Sequence, residues 1–129
     1  MKKLIAATAL ALIGSTAFAD DVLGTWKSEP GETGGFIHVT MAQCGTKICG
    51  TIVEVVGNDN TTIVGRQIIA DMSPNGGGKY SGGTIWAPDD DKTYKSRMTL
   101  LNANTLEVRG CVGICTALTS RGQTWTRLN

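Results

Sequence analysis

The stretch from Thr93 to Cys111, TYKSRMTLLNANTLEVRGC, indicates the fold more clearly than any other part of the chain. It begins with a strict alternation, in which Lys95, Arg97 and Thr99 separate the members of a second face, Tyr94, Ser96, Met98 and Leu100. A period of two is typical of a strand with one buried face. The residues 102–105 then predict a tight reversal into a second strand over 106–111.

Short strand-like runs separated by turn residues extend on both sides of this hairpin. The other predicted strands are 23–29, 36–42, 48–56, 79–86 and 124–128, and residues 66–70 fit either a strand or one helical turn. No run has the length and periodicity of an amphipathic helix. Hairpin-length connections favour antiparallel neighbours. The sequence therefore predicts an all-β fold, a small antiparallel up-and-down β-barrel of about eight strands, with an open β-sandwich as the alternative.

Composition limits the class of protein. The chain has 129 residues, a formal charge of +1 and 41% hydrophobic residues. This apolar content argues against a disordered chain, and the near-zero charge argues against a nucleic-acid partner. We expect one domain over residues 20–129, because this length suits a single modest core.

The first 19 residues, MKKLIAATALALIGSTAFA, have the pattern of a secretory signal peptide. Two lysines precede a short apolar run, and small residues end at Ala19, where cleavage is predicted. The run is too short to span a bilayer of about 30 Å. We therefore expect a periplasmic or secreted protein with no membrane span after cleavage.

The four cysteines are expected to form disulfides, because an even set in a small exported chain is usually oxidised. Three pairings are open, and the short intervals favour Cys44–Cys49 and Cys111–Cys115, each across a chain reversal. The alternative of a Cys₄ zinc site lacks the tight C-x₂-C spacing of zinc ribbons. No metal site is predicted.

Catalytic patterns are sparse. His38 is the single histidine, and no Gly-x-Ser-x-Gly motif accompanies it. The acidic run 89–91 lacks the spacing of a calcium loop, and the glycines of 76–78 lack the context of a phosphate-binding loop. We therefore predict no catalytic residues and no cofactor. Four side chains are candidates for lining a ligand site: His38, Tyr80, Trp86 and Tyr94.

Two resemblances support this interpretation. Gly24-Thr-Trp26 in the first strand and Trp125-Thr-Arg127 in the last resemble the ends of lipocalin-like and streptavidin-like (calycin) barrels. That resemblance implies that the Trp26 indole closes one barrel end under a basic side chain, with Arg127 as the candidate and Arg109 as its substitute. Such a stack is a cation–π contact.

The second resemblance spans essentially the whole mature chain. The segments 24–26, 44–52, 85–94, 108–111 and 123–127 are similar to the bacterial family called domain of unknown function 2147, a set of small exported proteins. The family pattern Asp-Pro-x-x-Gly has Ala87 and Asp91 at its first and last positions here. The resemblance implies an exported β-rich domain with no established activity.

The function expected from the sequence is non-catalytic binding of a small apolar or amphipathic ligand, or of an envelope protein partner. One alternative is a hydrolase-type enzyme that uses His38 with a carboxylate. Another is a structural or stress-related envelope protein whose barrel is filled by its own side chains. The sequence predicts neither the ligand nor the oligomeric state.

Overall fold

The computed structural model describes residues 20–31, 33–115 and 120–129, and the predicted signal peptide lies outside these residues. Eight strands account for most of the described chain. They are β1 (Gly24–Lys27), β2 (Phe36–Cys44), β3 (Lys47–Val56), β4 (Gln67–Pro74), β5 (Lys79–Ala87), β6 (Lys92–Asn102), β7 (Thr105–Cys111) and β8 (Ser120–Arg127). A single turn of 3₁₀ helix covers Thr61–Ile63. The ambiguous segment 66–70 falls within β4, and β8 begins earlier than the sequence predicted.

The strands form a closed barrel in chain order, β1 to β8. Every neighbouring pair is antiparallel, and the barrel closes where β1 pairs with β8 through Trp26 opposite Arg127. This confirms the predicted all-β, eight-stranded up-and-down barrel over the alternative sandwich. Closure leaves no unpaired sheet edge, which protects the backbone of a small β protein from edge-to-edge association.

The two ends of the barrel are connected differently. Short turns at residues 45–46, 75–78 and 103–104 join the strands at one end, which also holds residues 20–23 and the chain terminus at 128–129. We call this the closed end. The other end, called the mouth, carries the longer connections 28–35, 57–66 and 112–119 together with the turn 88–91. Long loops at one rim of a rigid barrel are a common place for binding residues.

Large side chains fill the interior from the closed end up to the level of Ile69, which pairs with Ile85. Each of the following is at most 2% exposed: Trp26, Val39, Met41, Ile48, Ile52, Ile69, Met72, Met98, Leu106, Val108 and Trp125. Most alternate along their strands, as a period-two buried face requires. This half of the barrel is a packed core.

Bulges change which residues face inward. The pairing of β5 with β6 shifts between Tyr80 and Gly83, so that Gly83 shares a face with Ser96 and Ile85 shares one with Tyr94. At this bulge the backbones of β4 and β5 approach so closely that a Cβ on Gly83 would overlap the carbonyl oxygen of Ala70. Only glycine fits there. Residues beyond the bulge therefore have the opposite orientation from that of simple alternation.

Both short-range disulfides are present. The Cα atoms of Cys44 and Cys49 are 5.8 Å apart, and those of Cys111 and Cys115 are 5.0 Å apart. The first pair staples the β2–β3 hairpin at the closed end, and the second closes a loop at the mouth. Each closes a short loop, which corresponds to about 2 kcal/mol on the chain-entropy model. The predicted pairing is confirmed, and the four sulfur atoms do not form one zinc site.

Candidate functional site

The mouth of the barrel is lined by interior-facing residues of six strands. Register identifies them, because directly paired residues of neighbouring strands share a face of the sheet. Ile37 of β2 pairs with Val55 of β3, and Ile85 of β5 pairs with Tyr94 of β6. The lining, called the mouth set here, comprises Ile37, Val55, Ile85, Tyr94, Gly110, Arg121 and Gln123.

Gly110 makes room within this set. A Cβ at Gly110 would lie 3.3 Å from Cγ2 of Ile85 and 3.7 Å from Cβ of Tyr94. Since Ile85 and Tyr94 face the interior, Gly110 does as well. A larger residue on β7 would crowd the mouth at this level.

Exposure distinguishes the mouth set from the layers beneath it. Ile37, Val55 and Ile85 pack against the core but remain only partly buried. Tyr94 and Gly110 are also partly buried, whereas Gln123 and Arg121 are exposed. By contrast, Trp26 and Ile48 nearer the closed end have no exposed surface. At the mouth, partly buried aliphatic side chains therefore lie beneath exposed polar ones.

Tyr94 has a polar partner at the rim. Its hydroxyl donates a hydrogen bond to Oδ2 of Asp90 over 2.6 Å. This bond is the main reason why the pKa of Tyr94 is raised above its ordinary value, while the positive charge of Arg121 acts in the opposite direction. The Tyr94 phenol therefore stays protonated at neutral pH, and its proton is used in the hydrogen bond to Asp90.

The turn that holds Asp90 is itself fixed. Asp91 has a left-handed backbone conformation with φ of 54°, at the position where the family pattern has glycine. Its carboxylate accepts a hydrogen bond from the Trp86 indole over 2.8 Å. Asp tolerates this backbone region better than most residues, and here its side chain adds a bond that glycine cannot make.

His38 lies outside the barrel, not in the mouth. Ile37, Val39 and Met41 form the inner face of β2, so the alternating face with Phe36 and His38 is the outer one. Nδ1 of His38 is 3.1 Å from Oε1 of Glu54, whose side chain is 59% exposed. The expectation that His38 lines a ligand site is corrected, and its carboxylate neighbour forms a surface pair across two strands.

Trp86 also faces outward, because the bulge in β5 reverses the alternation that starts at Tyr80. The Arg66 guanidinium covers the Trp86 ring, with its carbon 3.5 Å from the ring centroid. Trp86 is only 7% exposed beneath this cover. It therefore stabilises the outer flank of the barrel and does not line the mouth.

Tyr80 lies at the closed end. It is 4% exposed, and its hydroxyl donates a short hydrogen bond to Oδ1 of Asp20. Burial, followed by this bond, raises the pKa of Tyr80 far above its ordinary value. Of the four predicted lining residues, the structure brings only Tyr94 to the mouth.

Trp26 and Arg127 meet at the closed end. The guanidinium carbon of Arg127 is 4.4 Å from the centroid of the Trp26 ring, and the Trp26 indole donates to the Val22 carbonyl over 2.9 Å. Arg127 also donates to the carbonyls of Leu23 and Ala103, over 2.9 and 2.6 Å. It thereby links the segment before β1 to the β6–β7 turn.

Arg109, the alternative partner for Trp26, is engaged elsewhere. It faces away from the interior because its neighbours in β7, Val108 and Gly110, face inward. Its guanidinium donates to Oγ of Ser120 over 2.9 Å and to Oε2 of Glu107 over 3.2 Å. The basic side chain that stacks on the indole is therefore Arg127.

Two further features have site-like composition. A shallow, largely polar cleft of about 230 Å³ lies outside the closed end, between Asp20, Asp21 and the β4–β5 turn. Within the described ranges, the residues close enough to share a metal ion are Cys44, Cys49 and Asp71. Both sulfur atoms belong to a disulfide, and metal binding by cysteine requires the thiolate. This group cannot ligate a metal while oxidised.

Most residues of the mouth set are not evident from the sequence. Alternation in β2 places Ile37 on one face, but Phe36 makes the opposite face apolar as well, so alternation alone does not show which face is the inner one. Val55 follows a bulge, because the pairing of β2 with β3 shifts between His38 and Val39. Arg121 lies before the predicted start of the last strand. The spacing of two between Arg121, Gln123 and Trp125 could have predicted that the strand begins earlier and that these three residues share a face.

Comparison with known proteins adds a family and a fold neighbour. No curated protein matches the chain. Among solved structures, it is similar to protein HP1028 from the human pathogen Helicobacter pylori, described as belonging to the lipocalin family. The TM-score is 0.68 and the sequence identity 21%, over 84% of this chain and 83% of the other. This similarity shows a lipocalin-like fold.

Among the described residues, no helix has the length and apolar character needed to cross a membrane. A family model described as "Uncharacterized protein conserved in bacteria (DUF2147)" matches residues 24–127, which include all eight strands. The function of that family is unknown. With the barrel, its register and this match in place, the chain belongs to the bacterial DUF2147 family.

Proposed function

We propose that this protein binds a small apolar or amphipathic ligand in the mouth of its barrel and catalyses no reaction. The observation that carries the proposal is the contrast between the two ends. Apolar interior side chains are fully buried near the closed end, whereas Ile37, Val55 and Ile85 remain partly exposed at the mouth. Covering such side chains with an apolar ligand is favourable by about 25 cal/mol per Å².

The fold supports this function. Barrels of the lipocalin type hold small ligands in their interior, and ligand sites combine an apolar lining with a few polar groups. The mouth has that composition, with Tyr94, Gln123 and Arg121 beside the aliphatic floor. The filled lower half limits a ligand to the upper part of the barrel, which favours a small or partly protruding molecule.

An apolar probe tests the proposal directly. N-phenyl-1-naphthylamine is neutral and gains fluorescence when it leaves water, so its titration onto the protein should be saturable. Val55→Lys places a charge within the mouth set and should weaken probe binding at least about tenfold, because the bound apolar probe would have to cover that charge. Val53→Lys is the matched control, since Val53 lies on the same strand and is 46% exposed.

The outcomes separate the hypotheses. Saturable binding that Val55→Lys weakens and Val53→Lys leaves unchanged supports the mouth as the site. Absence of saturable binding, or equal effects of the two substitutions, contradicts it. In that case partner recognition would rest on the disulfide-closed loop at the mouth, where Val112 and Ile114 are 69% and 76% exposed.

We further propose that the protein works in the periplasm or outside the cell after removal of residues 1–19. Two disulfides and membership in a bacterial family support an extracytoplasmic location, since disulfides persist in oxidising compartments. Asp20 is held by Tyr80 at the closed end, so the folded domain includes the first residue of the predicted mature chain. Mass spectrometry of protein from the periplasmic fraction should give an N-terminus at Asp20, and an intact N-terminus would contradict the proposal.

A further inference from the structure

Arg121 projects from β8 into the mouth. It pairs directly with Gly110 across the β7–β8 ladder, and Gly110 faces Ile85 and Tyr94 in the interior. Paired residues share a face, so the Arg121 side chain rises on the interior side of the rim. Gly110 has no side chain, and Ile85 and Tyr94 pack closely over it.

The other arginines with assigned contacts serve the structure of the barrel. Arg127 stacks on Trp26, Arg66 covers Trp86, and Arg109 bonds Glu107 and Ser120. Within the described part of the chain, Arg121 has no ion pair and is exposed. A guanidinium that is in no salt bridge and lies beside partly exposed aliphatic side chains is suited to an anionic group of a ligand.

The positive charge of Arg121 reaches into the mouth. Its effect on the pKa of Tyr94 opposes that of Asp90, which places Arg121 within electrostatic range of the Tyr94 hydroxyl. The nearby Asp90 carboxylate already accepts the Tyr94 hydroxyl over 2.6 Å. Asp90 keeps its negative charge in this bond, but no salt bridge of the described residues joins it to Arg121. The planar guanidinium of Arg121 can bind a carboxylate or phosphate through paired hydrogen bonds.

We infer that the ligand is an anionic amphiphile, whose carboxylate or phosphate binds Arg121 while its apolar chain covers Ile37, Val55 and Ile85. This inference rests on the proposed function and specifies the class of ligand. Arg121 is the residue that selects the head group, and the aliphatic floor accepts any chain of suitable size. Neutral and cationic amphiphiles bind the floor without the contribution of Arg121.

Four ligands of equal chain length test the selection. Decanoate, decyl phosphate, decanol and decyltrimethylammonium are titrated as competitors of bound N-phenyl-1-naphthylamine. Both anions should bind about tenfold more tightly than decanol, as expected for a partly exposed charge-assisted hydrogen bond. The cation should bind no better than decanol. A preference for only one anion identifies the head group as carboxylate or phosphate.

Variants assign the preference to Arg121. Arg121→Gln should bring the affinity for the anions down to that for decanol and leave decanol binding unchanged. Arg121→Lys should retain part of the preference, because the charge remains while the fork is lost. Arg97→Gln is the matched control, since Arg97 pairs with Arg109 on the outer face of β6 and β7. It removes the same charge from outside the mouth.

Each outcome separates this inference from the proposed function. Equal binding of decanoate, decyl phosphate and decanol by the unmodified protein would overturn head-group selection while leaving ligand binding intact. Failure of the neutral probe itself to bind would overturn both. An equal loss of anion binding in Arg97→Gln, or a loss of decanol binding in Arg121→Gln, would also overturn the role of Arg121.

Discussion

The two tyrosines of the chain occupy opposite ends of one barrel and make the same kind of bond in different surroundings. Tyr80 at the closed end is 4% exposed and donates to Asp20, whereas Tyr94 at the mouth is partly buried and donates to Asp90. At the closed end the bond fixes the segment before β1 to the barrel. At the mouth it orders the rim and leaves the floor accessible. One end is fully packed, and the other has the partly exposed side chains of the proposed ligand site.

The largest difference between the two ends is expected when an aromatic side chain is removed from each. Trp26→Ala should lower the free energy of unfolding by about 3–5 kcal/mol, because it leaves a cavity where burial is complete. Tyr94→Ala should cost about 1 kcal/mol or less, as is usual for partly exposed positions. Urea unfolding followed by circular dichroism measures both. Equal losses would mean that the mouth is as tightly packed as the closed end.

A second, smaller contrast uses the same residue type at both ends. Ile48 has no exposed surface, whereas Ile85 in the mouth set is partly exposed. Ile48→Ala should destabilise the protein by about 2–4 kcal/mol and Ile85→Ala by about 1 kcal/mol, since a partly exposed side chain loses less burial. The same urea measurements apply. If Ile85→Ala were the more damaging change, the proposed open floor would be part of the core.

These contrasts also show how far the sequence could predict the structure. Alternation from Tyr94 to Leu100 predicted an inward face, and the short cysteine intervals predicted both disulfides, because each depends only on neighbours along the chain. The orientation of Trp86 depends on a bulge, which sequence spacing does not reveal. Counting by twos from Tyr80 places Trp86 inside, and one extra residue near Gly83 places it outside.

His38 illustrates a different limit. The strand 36–42 has apolar residues on both faces, with Phe36 and His38 opposing Ile37 and Val39, so alternation alone does not choose the inner face. The barrel resolves the choice by pairing His38 with Glu54 on the outside. The inward orientation of Arg121 is not evident from the sequence, because it follows from pairing with Gly110 of the neighbouring strand.

The smallest expected effect is on the response to alkaline pH. The pKa of Tyr80 is raised in the folded protein, mainly by burial. Its stabilising contribution is therefore fully present below the ordinary tyrosine pKa of about 10 and is lost as the pH rises above it. Tyr80→Phe should reduce the fall in unfolding free energy at alkaline pH, whereas Tyr94→Phe should change it less because that ring is more exposed.

Phenolate absorption provides the readout for this comparison. In the unmodified protein, the Tyr94 phenolate should form at lower pH than that of Tyr80, and Tyr94→Phe should remove the earlier step. Ionisation of Tyr80 should coincide with loss of structure measured by circular dichroism. If the Tyr80 phenolate formed first and without unfolding, the closed end would be open to solvent and the contrast between the ends would not hold.

The seam between β1 and β8 has a consequence for biogenesis. The barrel closes through Trp26 opposite Arg127, and the backbones of Thr25 and Leu128 are also hydrogen-bonded. Strands at the beginning and end of the domain must therefore meet, so the ring cannot be completed while its eighth strand is still being synthesised or translocated. The native topology therefore forms only once the last strand is available to pair with the first.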